Sequence, residues 1–172
     1  MTPEKPQDHL PDKATHEAIG KALGRIPQGL FVLTAAYEDK RSGMLASWVQ
    51  QVCFQPPMVC VAVAKGRSIM PLVSESRRFG LCQLVQGDRV MQRKFTGHID
   101  PNDDIFLGYD LVQGKFPDLP LPANALTFLE CELACHMDVE GDHDLFIGHI
   151  VNGGLLREGE PQVHIRDSGF HY

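Results

Sequence analysis

Residues 43–57 read GMLASWVQQVCFQPP and hold the chain's only tryptophan. The stretch is apolar enough for a strand, yet Ser47, Gln50, Gln51 and Cys53 interrupt it. A strand buried on both faces has no use for amides, whereas a wall that meets a ligand does. Local chemistry leaves both readings open: Trp48 as core packing, or Ala46-Ser47-Trp48 as part of a binding surface.

The neighbouring segments give this stretch its context. GLFVLTAAY (29–37) is strand-like, EDKRSG (38–43) is a polar turn closed by glycine, and MLASWVQQVCF (44–54) follows as a second strand, forming a hairpin with the first. Pro56-Pro57 ends it, and MVCVAVA (58–64) is a compact buried strand. KGRS then opens a short helix over 69–77, with Ser68 as its N-cap. FGLCQLV (79–85) is a further strand, and GDRVMQRKF (87–95) is a helical pattern capped by Asp88. The segment from Thr96 to Ala123 is rich in Asp, Gly and Pro and reads as a long loop.

LTFLECELACHMDVE (126–140) alternates Leu126, Phe128 and Glu130 against Thr127, Leu129 and Cys131, the period of a long strand. The turn EGDHD leads to LFIGHIVNGGLL, in which Gly153-Gly154 reads as a turn, and PQVHI supplies a last strand. Near the start, THEAIGKALGRI carries a helical apolar pattern that Pro27 stops, and the three prolines before it suggest a loose arm. The expected organisation is therefore a flexible arm over 1–14 and one domain over 15–172. Hairpins outnumber helices and strict βαβ alternation is missing, which predicts a mainly β fold: an antiparallel barrel with peripheral helices.

Composition narrows the function. Sixteen basic and twenty-two acidic residues give a net charge of −6, which disfavours a general nucleic-acid binder. No run approaches the roughly 20 apolar residues of a membrane span. The opening MTPEKPQDHLPDK is too polar for a signal peptide. The five cysteines form no C-x-x-C pair and read as free thiols in a reducing cytoplasm.

Several chemistries fall away on spacing. Asp100-Pro-Asn-Asp-Asp104 lacks the glycine and the distal glutamate of a calcium loop. Cys131 and Cys135, placed along a strand, would hold their sulfurs about 13 Å apart, too far to share zinc. No metal site is expected. There is no G-x-S-x-G elbow, no G-x-G-x-x-G and no P-loop. Lys65-Gly66-Arg67-Ser68 is richer, because two cations and a hydroxyl precede a helix whose first turn exposes unpaired N–H groups. It suits a terminal phosphate, or serves as an ordinary solvated strand-to-helix turn. His143, in the turn Gly141-Asp-His-Asp144, is a ligand-site residue or a plain turn histidine.

Six segments taken together resemble the flavin reductase-like family: LGRIPQGLFVLTA (23–35), GMLASWVQQVCFQPP (43–57), VAVAKGRS (61–68), LTFLECEL (126–133), GDHDLFIGHIV (141–151) and VHIRDSGFHY (163–172). They stand in the family's order, and the likeness is strongest to the flavin reductase module of cyanobacterial flavodiiron proteins. The resemblance implies a six-stranded antiparallel Greek-key split barrel, a homodimer with FMN at or near the subunit interface. It implies an NAD(P)H-dependent flavin reductase, with NADH or NADPH as donor and an electron-acceptor protein as a further partner. An FMN electron carrier reduced by another protein, or a non-catalytic FMN-binding module, are the alternatives. Carried over, Leu45, Ala46, Ser47 and Trp48 line the flavin. Gln51, Val52 and Cys53 follow the ribityl chain, Lys65, Gly66, Arg67 and Ser68 hold the phosphate, and His143 is the catalytic-site histidine. Cys53 stands where relatives carry serine, and a thiol is the weaker donor.

Overall fold

A computed structural model describes residues 11–97 and 103–171. Most of the expected arm, residues 1–10, lies outside them, as do residues 98–102 of the acidic loop and Tyr172. The chain divides into two compact units, Met1–Pro27 with His164–Tyr172, and Gln28–Val163.

In the first unit, helix α1 (Lys13–Gly24) opens two residues before Thr15, because Asp12 caps it. The Asp12 carboxylate accepts from Thr15 N at 2.9 Å, and that bond holds its pKa below the usual carboxylate range. The C-terminal segment runs along the helix. Gly169 N donates to Gly20 O at 2.6 Å and Arg166 N to Gly24 O at 3.0 Å. A Cβ on Gly24 would stand 2.5 Å from Arg166 O, so this approach requires glycine.

The strands are β1 (Gln28–Gly29), β2 (Phe31–Tyr37), β3 (Lys40–Ala46), β4 (Val49–Cys53), β5 (Met58–Ala64), β6 (Arg78–Gln83), β7 (Thr127–Asp138) and β8 (His143–Leu155), all in the second unit, and β9 (Val163–His164) at its end. Seven of them form one antiparallel sheet in the order β3-β2-β6-β7-β8-β5-β4. The fold is mainly β, as expected, with seven strands in the sheet where six were expected. Strands β3 and β4 lie at opposite edges, yet only Ser47 and Trp48 separate them in sequence. A flat sheet of this size would set its edges about 29 Å apart. Three residue steps span at most about 11 Å. The sheet must therefore curl until its edges meet; Ala62 N on β5 donates to Trp48 O at 3.0 Å, which carries the β4–β5 pairing up to the break.

This closure corrects the sequence reading of 38–54. The turn is only Glu38-Asp39, with Glu38 in the left-handed region at φ 52°, and KRSG belongs to the strand. The single strand expected over 44–54 breaks at Ser47-Trp48 into β3 and β4. Gly153-Gly154 is likewise no turn: both residues lie inside β8, opposite Leu129 and Phe128. A Cβ on Gly153 would meet the Leu129 side chain at 2.8 Å, so the glycine admits a close cross-strand contact.

Two apolar clusters fill the unit. One gathers Val32, Cys82, Met91, Phe95, Phe106 and Phe128 under helix α3 (Arg89–Thr96). The other gathers Leu33, Val61, Val73, Leu81, Cys131 and Phe146 against helix α2 (Ile69–Ser76). Neighbours Val32 and Leu33 face different clusters, as do Leu81 and Cys82, so β2 and β6 are covered on both sides. That is why GLFVLTAAY runs apolar without alternation.

The long loop is fastened by Glu130, which is 0% exposed. Its carboxylate accepts from Lys115 N at 2.7 Å, Phe116 N at 2.8 Å and Asn152 Nδ2 at 2.5 Å. Gly114 leaves the room it needs, since a Cβ there would fall 2.4 Å from Glu130 Oε2.

Candidate functional site

The strand break sets the site. Ala46 and Ser47 are buried, at 5% and 6% exposure, while Leu45 and Trp48 are half-buried. Leu45 packs on the α3-side cluster. Ser47 Oγ is enclosed and has no hydrogen-bond partner among the described residues. A buried hydroxyl without a partner costs roughly 1–3 kcal/mol, so its presence points to a group that binds there.

Trp48 lies against His143, ring centroids 4.6 Å apart at 39°. His143 is the first residue of β8, opposite Ala64 on β5, and so stands on a strand and not in the expected turn. Its Nδ1 is 2.8 Å from Asp142 Oδ1, and that bond holds the Asp142 carboxyl below the usual range. Lys65 N donates to Asp142 O at 2.9 Å. Ser47, Trp48, Lys65 and His143 thus meet at one end of β5, although they are far apart in sequence.

Gln51, Val52 and Cys53 go elsewhere. Cys53 pairs with Met58, at the other end of β5 from Ala64. At about 3.3 Å per residue the length of β5 sets them roughly 20 Å from the Lys65 turn. Within one chain, β4 and the Lys65–Ser68 turn lead away from Trp48 in opposite directions. Gln51 and Val52 are exposed, and Cys53 is half-buried.

Lys65 has partners that sequence reasoning missed. Asp138 and Asp144 are direct cross-strand neighbours, and two like charges so placed repel. Lys65 Nζ sits 2.7 Å from Asp138 Oδ1 and 3.6 Å from Asp144 Oδ1. The Asp138 contact raises the lysine pKa and lowers the carboxyl pKa. The other oxygen of Asp144 meets His136 Nε2 at 2.8 Å, and the His136 ring stacks on Phe146 at 4.4 Å. Asp144 Oδ1 itself makes no hydrogen bond, so Lys65 reaches it as an ion pair only. The acidic run Asp138, Glu140, Asp142, Asp144 was the available signal, since four carboxylates around one hairpin demand a cation.

Arg67, by contrast, makes no side-chain ion pair or hydrogen bond among the described residues, and it is exposed. Gly66 has φ +82° and open space where a Cβ would stand. Ser68 occupies the cap position of α2, but its side chain makes no capping bond. Pro71 in the first turn of α2 removes one N–H donor.

The outer face of the β4–β5–β8–β7 quarter carries an apolar surface beside this site. Cys60, Ile147 and Cys135 stand in one cross-strand row, and Ala62, Leu145 and Met137 in the next. Partners in such a row share a face. All six are half-buried or exposed, Met137 at 44%.

Residues 23–171 match the flavin reductase like domain, nearly the whole of the chain. The chain belongs to the flavin reductase-like family. It is 36% identical over 162 residues to diflavin flavoprotein A 1 of Synechocystis sp., covering 93% of this chain and 28% of that protein. It is 37% identical over 156 residues to putative diflavin flavoprotein A 3 of Nostoc sp., covering 90% and 27%. The chain thus spans a little over a quarter of the length of these relatives. Among solved structures, the NADH:FAD oxidoreductase SgcE6 of Streptomyces globisporus superposes with a TM-score of 0.80 at 26% identity, covering 93% of this chain and 94% of that one. The flavin reductase PheA2 shares the fold at a TM-score of 0.72 and 22% identity, covering 91% and 94%. No helix among the described residues is long and apolar enough to cross a membrane.

The site's residues fit a flavin. Ser47 Oγ offers an unused hydrogen bond, the Trp48–His143 ring pair offers an aromatic wall, and Arg67 with the open Gly66 turn offers a place for a phosphate. Lys65 fits that last role poorly, because Asp138 and Asp144 already neutralise it.

Proposed function

We propose that this domain is an NAD(P)H-dependent flavin reductase that binds FMN along Leu45–Trp48 and His143. The observation that carries the proposal is the enclosed, unpartnered Ser47 hydroxyl beside the Trp48–His143 ring pair, in a chain of this family. Bound flavin supplies hydride acceptance and onward electron transfer. The chain's part is to hold the ring, exclude water from one side of it and leave the other open to the nicotinamide. Ser47 contributes a hydrogen bond from a dry position, where it is worth more than in water. Trp48 and His143 form the wall, and Arg67 with the Gly66 turn takes the phosphate.

Cys53, through its partner Met58, shares the outer face with the apolar rows around Cys60 and Ile147, which supports a homodimer covering that face. In such a dimer, β4 of one subunit would complete the flavin contacts of the other, which answers the roughly 20 Å separation within one chain. The reductase working in the cytoplasm and handing electrons to an acceptor protein completes the reading. A carrier that receives electrons from a partner protein is the second reading.

Steady-state oxidation of NADH and NADPH, with FMN or FAD as acceptor, tests the enzyme reading. Turnover that requires added or retained FMN supports it. Tight FMN binding without nicotinamide oxidation assigns the carrier role instead.

A further inference from the structure

His143 is held from several sides. Asp142 Oδ1 lies 2.8 Å from its Nδ1, the Trp48 ring covers one face, and its backbone pairs with Ala64. Asp142 is itself anchored, because its carbonyl accepts from Lys65 N at 2.9 Å. The imidazole is 13% exposed. Its second nitrogen, Nε2, has no partner among the described residues. Lys65 Nζ lies against Asp138 and Asp144, so the hydrogen bond to the Asp142 carboxylate is left to His143.

An ionised carboxylate accepts hydrogen bonds and donates none. A neutral His143 can meet Asp142 only if its proton is on Nδ1, which leaves the lone pair on Nε2. We propose that Asp142 is a positioning residue that fixes His143 as the Nδ1–H tautomer, presenting Nε2 as an acceptor for an amide-type N–H of the bound ligand. Asp142 is 94% exposed, so its charge contributes little and the polarity of the contact is what matters. Two ligands of the reductase carry such an N–H: the nicotinamide through its carboxamide, and the flavin through its ring imide. The choice of ligand rests on the proposed reductase function, whereas the tautomer is a property of this chain alone.

The test compares the wild type with Asp142→Ala and Asp142→Glu. Long-range nitrogen–proton NMR of the imidazoles reads the tautomer without any ligand. The wild type should show His143 protonated on Nδ1, Asp142→Ala should move the proton toward Nε2, and Asp142→Glu should restore it. With FMN and NADH as probes, Asp142→Ala should weaken one of two constants about five- to tenfold, the loss of one hydrogen bond. A raised KM for NADH assigns the contact to the carboxamide, and a raised Kd for FMN assigns it to the imide, with kcat changed less than either. An Nε2–H tautomer in the wild type overturns the proposal, as does a tautomer switch that moves neither constant. A wild type that binds no flavin defeats the reductase reading, and the NMR result still decides the role of Asp142.

Discussion

Asp138 and Asp144 face each other across β7 and β8, and the Lys65 ammonium bridges them. A lysine that looks like a phosphate ligand in sequence is thus committed to holding a hairpin end, and of the two cations in the turn Arg67 is the one whose side chain has no partner among the described residues.

Arg67→Ala should therefore weaken FMN affinity about tenfold, the scale of one charge-assisted contact. Lys65→Met should change that affinity less and lower Tm instead. The sign with pH is fixed by the shifts. Asp138 is lowered by its bond to Lys65, so its share of the stabilisation is present at neutral pH and is lost as pH falls through that lowered value. Lys65 is raised, so its share disappears only above the ordinary lysine range. The Tm gap between wild type and Lys65→Met should be widest near neutrality and close in acid, below the ordinary carboxylate range. Thermal melts across pH, with FMN titrations of both variants, check this.

Ser47→Ala should separate stability from binding. Removing an enclosed hydroxyl that has no partner should stabilise the flavin-free protein by about 1 kcal/mol. The same change should weaken FMN several-fold. Urea unfolding with and without FMN measures both, and a variant that is weaker in both states would assign Ser47 to packing.

Glu130 should be among the costliest residues to lose. Glu130→Ala strands two backbone N–H groups and the Asn152 amide in a dry interior, at a cost of about 3 kcal/mol or more. Glu130→Gln keeps one acceptor but turns an NH2 toward a donor, and should fall between. Urea midpoints at unchanged m give the values.

The apolar outer face predicts association. Ile147→Lys places a charge in the middle of the Cys60–Ile147–Cys135 row and should convert a dimer to a monomer in sedimentation velocity, while the far-ultraviolet circular dichroism stays that of the wild type.

Much of this was legible in sequence where periodicity or capping spoke directly. The alternation of 126–140 gave β7, and it placed Glu130 on the Leu126–Phe128 side, although nothing marked that carboxylate as fully enclosed. The Asp88 cap gave α3, and its side chain does accept from Met91 N at 2.9 Å. The β3 strand was hidden because its first residues, KRSG, are polar, and Glu38 takes a left-handed turn that a glycine would have announced. The break at Ser47-Trp48 was hidden for another reason: nothing local ends the strand there, and only closure of the sheet demands it. The family segments brought Ser47, Trp48, Lys65 and His143 to attention, and the register of β5 brings them together. The same register carries Gln51–Cys53 away, which is a long-range property no motif contains.

The reductase claim is tested most directly by anaerobic stopped-flow mixing of the FMN-loaded protein with NADH, and separately with NADPH. Rapid bleaching of the oxidised flavin band by one of the two nucleotides, slowed in Ser47→Ala, is the expected result. A protein that gains no flavin absorbance from FMN, or whose bound flavin neither nucleotide bleaches, would contradict it.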